Sequence, residues 1–363
     1  MPDKYIIDHH KIMFHPERLA SWLKAKTNWE KAKKVYPIYV EISSSGLCNH
    51  RCKFCALDYL GYKGGFANFE NLKRAIRDMA KGGVKSIQFG GEGEPLLHPK
   101  IKELVQYTKS QGLDISFTTN GTFLKEEILK DILPLVTWIK VSIDAGLSKT
   151  HMKIHRPKVQ DFDIIMNNLK RAVEIKKATN AQCTLGGQML LLPDNYKEAV
   201  ILAEKLKKIG LDYLVIKPYS QHKKSITQEY KNLSYKKYLY LANKLEKLNS
   251  DKFQVIFREN TMEKLKKGRA YKTCHAVPFF WAYIMANGDV YTCSSFLGNE
   301  EFKLGNYNKK SFKEIWEGEE RKRHWKFVRA KLNINQCRQN CRMDEVNSYL
   351  ERLNNPSPHV NFI

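Results

Sequence analysis

The stretch Gly46–Tyr59, GLCNHRCKFCALDY, carries three of the chain's eight cysteines, Cys48, Cys52 and Cys55, in a C-x3-C-x2-C arrangement. With eight cysteines in 363 residues, chance produces such a triplet roughly 0.004 times per chain. Three is an odd number for disulfides, and no apolar signal segment precedes them. No apolar run long enough to span a membrane occurs either. The chain therefore reads as cytoplasmic, where thiols stay reduced and clustered cysteines hold metal or do catalysis. Structural zinc sites of four cysteines come as two separated C-x2-C pairs. Three thiolates on one loop instead suit three corners of a cubane iron–sulfur cluster, leaving one iron open to a ligand the protein does not supply.

Such a loop must be held by a rigid scaffold, and the surrounding sequence alternates strand-like with helix-like runs from about residue 38 to 218. YPIYVEIS reads as a first strand leading into the cysteine loop. VKSIQFGGEGEP, LDISFTTNG, TWIKVSIDAG, AQCTLGGQMLLLP and LDYLVIKPYS follow, each separated by a helix-period segment. Six strands are fewer than the eight of a full barrel, so the expected fold is α/β, a partial (β/α)6 TIM-like barrel. In parallel sheets, ligand loops gather at the carboxyl ends of strands. The cysteine loop, GGEGEP, TTNG, SIDAG and KPYSQH should therefore meet at one end. Past residue 253 the pattern changes: FFWAYIMANGDVYTCSS reads as a hairpin turning at Asn287-Gly288. A cysteine-bearing turn, CRQNC, then feeds a last helix. The expected organisation is a helical extension over 1–37, a barrel over 38–252 and a small α+β domain over 253–363.

The three-cysteine loop, with Phe54 before its last cysteine at the end of a first strand, resembles the radical S-adenosylmethionine (SAM) superfamily. GGEGEP is similar to that family's GGE motif, and the resemblance implies that Gly90, Gly91 and Glu92 receive the methionyl amine of SAM. Ser142 and Asp144 of SID lie where such enzymes meet the ribose and carboxylate. Thr119, Asn120 and Lys217 are further candidate cofactor contacts. The implied chemistry is reductive cleavage of SAM to a 5′-deoxyadenosyl radical that abstracts a hydrogen atom from substrate, with flavodoxin or ferredoxin as an external donor. Cys274, Cys293, Cys337 and Cys341 form G-x4-C and C-x3-C elements similar to those of SPASM and Twitch domains. Four cysteines, where a full SPASM pattern has seven, imply a Twitch-like module whose single auxiliary [4Fe–4S] cluster is closed to substrate and transfers electrons. A structural zinc is the alternative for the same thiols. Cys183, at the start of its strand, is expected to be a buried structural thiol.

The charge bounds the partners. Lys and Arg number 62 against 38 Asp and Glu, a net +24, which favours anionic partners. The lysines are scattered over helices and no aromatic-interleaved basic motif appears, so nucleic acid is not indicated. Only 37 residues precede the first strand, too few for a leader-binding winged helix. The expected substrate is therefore a small molecule, a sugar, cyclitol or phosphorylated compound, that is oxidised or epimerised. Lys217, Tyr219, His222, His155, Arg156, Arg258 and Glu259 are the candidates to receive it. The alternatives are a maturase of a ribosomally made peptide and, from a different class, a non-catalytic iron–sulfur or zinc redox sensor with an acidic partner. The GGE and SID elements favour the enzyme, because a sensor has no use for them.

Overall fold

Short strands with one apolar and one polar face need helices on the apolar side, and this chain supplies both. In the computed structural model, which describes residues 3–362 (only the backbone at 266 and 267), the six expected strands form. They are β1 (Tyr39–Ile42), β2 (Ser86–Phe89), β3 (Asp114–Thr119), β4 (Trp138–Ser142), β5 (Thr184–Leu191) and β6 (Tyr213–Pro218). All pair in parallel in sequence order. Val40, Ile42, Ile87, Phe89, Ile115, Phe117, Ile139 and Val141 point outward into one buried core beneath the helices. The helix Phe69–Lys81 shows why that layer forms. Asn68 caps it by accepting from the Asn71 amide, and Leu72, Ala75, Ile76 and Met79 share its buried stripe. The alternate residues Tyr39, Glu41, Gln88, Thr118, Lys140 and Ser142 face the inside of the curved sheet.

The fold is thus α/β, a partial TIM-like barrel, with two extensions that the sequence pattern does not display. β7 (Gln254–Phe257) adds a seventh parallel strand beside β6, so the parallel sheet runs past residue 252. β8 (Trp281–Ile284) pairs in parallel with β1, and the expected hairpin turns at Asn287-Gly288 into β9 (Asp289–Tyr291). β10 (Lys303–Asn306) completes an open ten-stranded sheet in the order β10-β9-β8-β1-β2-β3-β4-β5-β6-β7. The C-terminal segment therefore grows from the barrel's first strand and keeps its cysteines beside the barrel mouth. Among the described residues no helix is long and apolar enough to cross a membrane.

The N-terminal helical extension is two α-helices, Pro16–Ala25 and Trp29–Ala32, because Asn28 breaks the run and caps the second. Arg321 fastens this segment to the C-terminal one. Its guanidinium is fully buried, faces Trp316 at 4.0 Å, and donates to the carbonyls of Ala32, Val35, Pro278 and Trp316. Replacing Arg321 by methionine keeps the stem but removes these donors, leaving the Ala32 and Val35 carbonyls only the Val35 amide and the Trp316 indole. We expect a loss of about 3 kcal/mol in denaturant unfolding, and an unchanged midpoint would show that the guanidinium does not fasten the two segments.

Candidate functional site

The cysteine loop follows β1 and is fixed from all sides by loops at the same end of the sheet. Gly90 N donates to Ile42 O, Glu94 N to Leu47 O, and Glu92 N to Ser43 Oγ at 3.0 Å. Asn120 Nδ2 donates to Asn49 Oδ1 at 2.7 Å, while Arg51 N and Lys53 N donate to His155 O and Ile154 O. Asp58 is buried and accepts from Ser225 Oγ and the amides of Ile226 and Thr227, which ties the segment after β6 to the same loop.

Gly91 and Gly93 let these loops touch. Gly91 has φ +104°, and a Cβ there would lie 2.0 Å from Ser43 Oγ. A Cβ on Gly93 would lie 2.3 Å from Leu47 O, the backbone of the cysteine loop itself. Gly91→Ala should cost on the order of 2–4 kcal/mol in strain and displaced packing. It should also weaken SAM binding, read by equilibrium dialysis; wild-type stability and affinity would mean the turn relaxes without consequence.

The three thiols lie close enough to bear on one another. Burial and then Glu94 push Cys48 up to about 12. Burial, Cys55 and Cys48 push Cys52 well above the usual thiol range, and burial raises Cys55. The protein alone therefore disfavours three thiolates here, and the donor set fits a cationic metal cluster that supplies the missing positive charge. His155 lies behind Cys52, with Nδ1 3.3 Å from Sγ and Nε2 2.9 Å from the Ile143 carbonyl. His50 and His151 pack against it, and both face Asp161. This buried histidine cluster orients the cysteine loop, and no short spacing motif announces it. Its signal, HMKIH followed by Asp161, is legible only once the loop is known to cross the helix Ser148–His155.

The candidate SAM contacts separate into two groups. Ser142 faces the barrel interior and accepts from Gln188 Nε2 at 3.1 Å, and the Phe54 ring meets His155 edge-on at 5.2 Å. Gly90 and Gly91 form the turn just described. Glu92 is buried, pushed up to about 7 by that burial, with Oε1 accepting from Ala286 N and Oε2 without a hydrogen-bond partner. An orphaned carboxylate oxygen beside the cysteine loop fits a cationic amine. The second group is engaged elsewhere. Thr119 Oγ1 and Asn120 N both donate to the Glu94 carboxylate, so these two build the turn. Asp144, at φ +56°, accepts from Leu190 N and lies 3.3 Å from His155 Nε2.

Of the candidate substrate residues, His155 is taken up by Cys52. His222 stacks on Tyr59 at 5.1 Å and lies 3.2 Å from Ser295 O. Tyr219 packs on Tyr230, and Arg156 and Glu259 are exposed. Lys217 and Arg258 stay near the interior, Arg258 paired with Asp8 at 2.9 Å. Residues unremarked in the sequence join them there. Arg342 donates to Tyr39 Oη and pairs with Glu41 at 3.1 Å. Tyr39 donates to Gln88 at 2.9 Å, and Gln88 to Thr118 at 3.2 Å.

Cys274, Cys293, Cys337 and Cys341 line one apolar cavity with Val277, Phe296 and Phe302. Asn347 Nδ2 and Met343 N donate toward Cys274 Sγ and Cys341 Sγ at 3.5 and 3.4 Å. Burial raises Cys274, Cys337 and Cys341 to about 11 and Cys293 further. Four mutually repelling thiols with N–H donors and apolar walls fit a fully ligated cluster. Cys183 is buried just before β5, at the opposite end of the sheet.

Comparison with known proteins assigns two family models to the chain. Residues 42–206 match the radical SAM superfamily model, and residues 274–342 match the SPASM iron–sulfur cluster-binding domain. A tungsten-containing aldehyde ferredoxin oxidoreductase cofactor-modifying protein of Pyrococcus furiosus is 27% identical over 49% of this chain and 50% of its own. An S-adenosylmethionine-dependent nucleotide dehydratase of Flammeovirga pacifica is 32% identical over 30% of this chain and 39% of its own. A probable GTP 3′,8-cyclase of Methanocaldococcus jannaschii is 26% identical over 63% of this chain and 71% of its own. The chain spans about half the length of the first of these relatives. Among solved structures, Streptococcus suis SuiB bound to its precursor peptide superposes with TM-score 0.64 at 18% identity, covering 96% of this chain and 78% of that one. AdoMet-bound anSMEcpe gives 0.60 at 17%, over 88% and 95%. Both show the same fold.

Proposed function

Because the chain belongs to the radical SAM superfamily and carries a SPASM-type iron–sulfur domain near its C-terminal end, we propose that it oxidises or epimerises a small anionic, polyhydroxylated substrate. Its cofactors are SAM, a SAM-binding [4Fe–4S] cluster and an auxiliary [4Fe–4S] cluster. Together these supply single electrons and hydrogen-atom abstraction, with an external donor such as flavodoxin or ferredoxin. In this reading Cys48, Cys52 and Cys55 ligate the first cluster, and Cys274, Cys293, Cys337 and Cys341 the second. The Gly90–Glu92 turn and Ser142 hold SAM, Phe54 packs beside the cysteine loop, and Thr119, Asn120 and Asp144 shape the pocket that receives it.

The observation that carries the substrate class is the polar, cation-rich interior of the barrel below the cysteine loop. A hydroxylated anion suits the polar and charged groups Tyr39, Gln88, Thr118, Ser142 and Lys140 that face this interior. The names of two relatives, a nucleotide dehydratase and a GTP cyclase, point to phosphorylated substrates and support the same class. The test uses deuterated sugar phosphates, nucleotides and peptides with the reconstituted enzyme, and follows deuterium into 5′-deoxyadenosine. Label arriving from a sugar phosphate or nucleotide is expected; label arriving only from peptides would replace this reading with a maturase.

A further inference from the structure

Two cations on the inward face have no partner. Lys140 on β4 and Lys217 on β6 each lack a carboxylate oxygen within 4.0 Å and a hydrogen bond among the described residues. Lys140 meets only the Trp138 ring, at 5.2 Å. Arg342 reaches the same space from the turn after Cys341. Its side chain stays 42% exposed although it lies among Tyr39, Glu41 and Trp281, so it faces an opening and not packed core. Arg258 is the fourth cation of the group, held by Asp8. Burial, Arg342 and Arg258 push Lys140 down to about 8, with Glu41 opposing. Burial and Lys140 push Lys217 well below the ordinary lysine range. Asp144 also bears on Lys217, yet grouping four cations against three carboxylates, Glu41, Asp8 and Asp144, still works against the folded protein unless an anion joins them.

We infer that Lys140, Lys217 and Arg342 form an oxyanion subsite that anchors a phosphate or carboxylate group of the substrate. Arg342 offers a planar fork and the lysines offer two mobile point charges, a set that suits a tetrahedral or planar oxyanion. Lys140 lies two residues before Ser142 on the same strand face, and so deeper in the barrel than the cysteine loop. An anion anchored there leaves the rest of a small molecule reaching back toward that loop. The inference rests on the reading of the site as a radical SAM active site. It adds that the C-terminal iron–sulfur domain contributes directly to substrate binding, because Arg342 follows the cysteine Cys341 immediately.

Calorimetric titration of the anaerobically reconstituted, SAM-loaded protein tests this. The probes are inorganic phosphate, glucose 6-phosphate and glucuronate, each against wild type, Lys140→Gln and Lys140→Arg. We expect at least one probe to bind, Lys140→Gln to weaken it about tenfold or more, and Lys140→Arg to restore most of the loss. Phosphate and glucose 6-phosphate binding alone identifies a phosphoryl group, and glucuronate binding a carboxylate. The SAM dissociation constant and iron content, measured on the same samples, should not change in Lys140→Gln. Absence of binding by all three probes overturns the subsite, as does equal binding by Lys140→Gln. A parallel loss of SAM affinity would assign these cations to the cofactor and likewise overturn it. Oxyanion binding that survives in protein unable to form 5′-deoxyadenosine would keep the subsite and refute the radical SAM reading, so the two fail separately.

Discussion

Replacing Cys52 by alanine removes 5′-deoxyadenosine formation altogether and lowers bound iron by about four atoms per chain. Cys52 is the loop thiol backed by a buried histidine. It lies between its two neighbours, with His155 Nδ1 3.3 Å away. Cys55 N donates to its backbone carbonyl, which alanine keeps, so the variant removes the thiolate without removing the turn's hydrogen bond. Two remaining thiolates do not hold a cubane against loss of iron. Cys183→Ala is the matched control, since that thiol is buried at the opposite end of the sheet. It should retain iron and activity at a cost of about 1 kcal/mol in stability. Metal analysis and mass spectrometry of both variants decide the matter, and cleavage retained by Cys52→Ala would sink the assignment of this loop.

Cys337→Ala should behave differently. Its site lies behind the C-x3-C turn, walled by Phe296 and Phe302 and separate from the loop after β1. If the substrate is oxidised, SAM cleavage should persist while product formation falls on the order of 100-fold or more, because the electron leaving the substrate then has no acceptor. The turn is also anchored to the barrel, with Arg338 Nε donating to Ser220 O and Asn340 N to Ser220 Oγ. A weakened hold on substrate should therefore accompany the loss. Product formed at the wild-type rate, with the auxiliary iron demonstrably gone, would leave that cluster no electron-transfer role.

Much of this site is legible in the sequence because it rests on local spacing. Three cysteines within eight positions, Gly-Gly-Glu after a strand and Asn-Gly between two apolar runs each need only a short window. What is not legible depends on long-range pairing. β7 is four residues long, too short for alternation to register, and β8, expected as the first arm of the hairpin, gives no sign in sequence of its second neighbour. Their places are set by pairing with β6 and with β1, far away in sequence. Thr119 and Asn120 have the right position for cofactor contacts, yet Glu94, on another loop, takes their donors. Lys140 could have been found by counting two residues back from Ser142 on one strand face. Arg342 could not, because its place in the barrel follows from the docking of the turn after β6 against the C-terminal segment.

The most direct measurement counts iron and sulfide in anaerobically reconstituted protein, then adds dithionite and SAM and assays 5′-deoxyadenosine by mass spectrometry. Two cubane clusters predict about eight irons per chain together with 5′-deoxyadenosine. A full complement of iron with no 5′-deoxyadenosine would contradict the radical mechanism and leave an iron–sulfur protein whose open iron serves some other purpose.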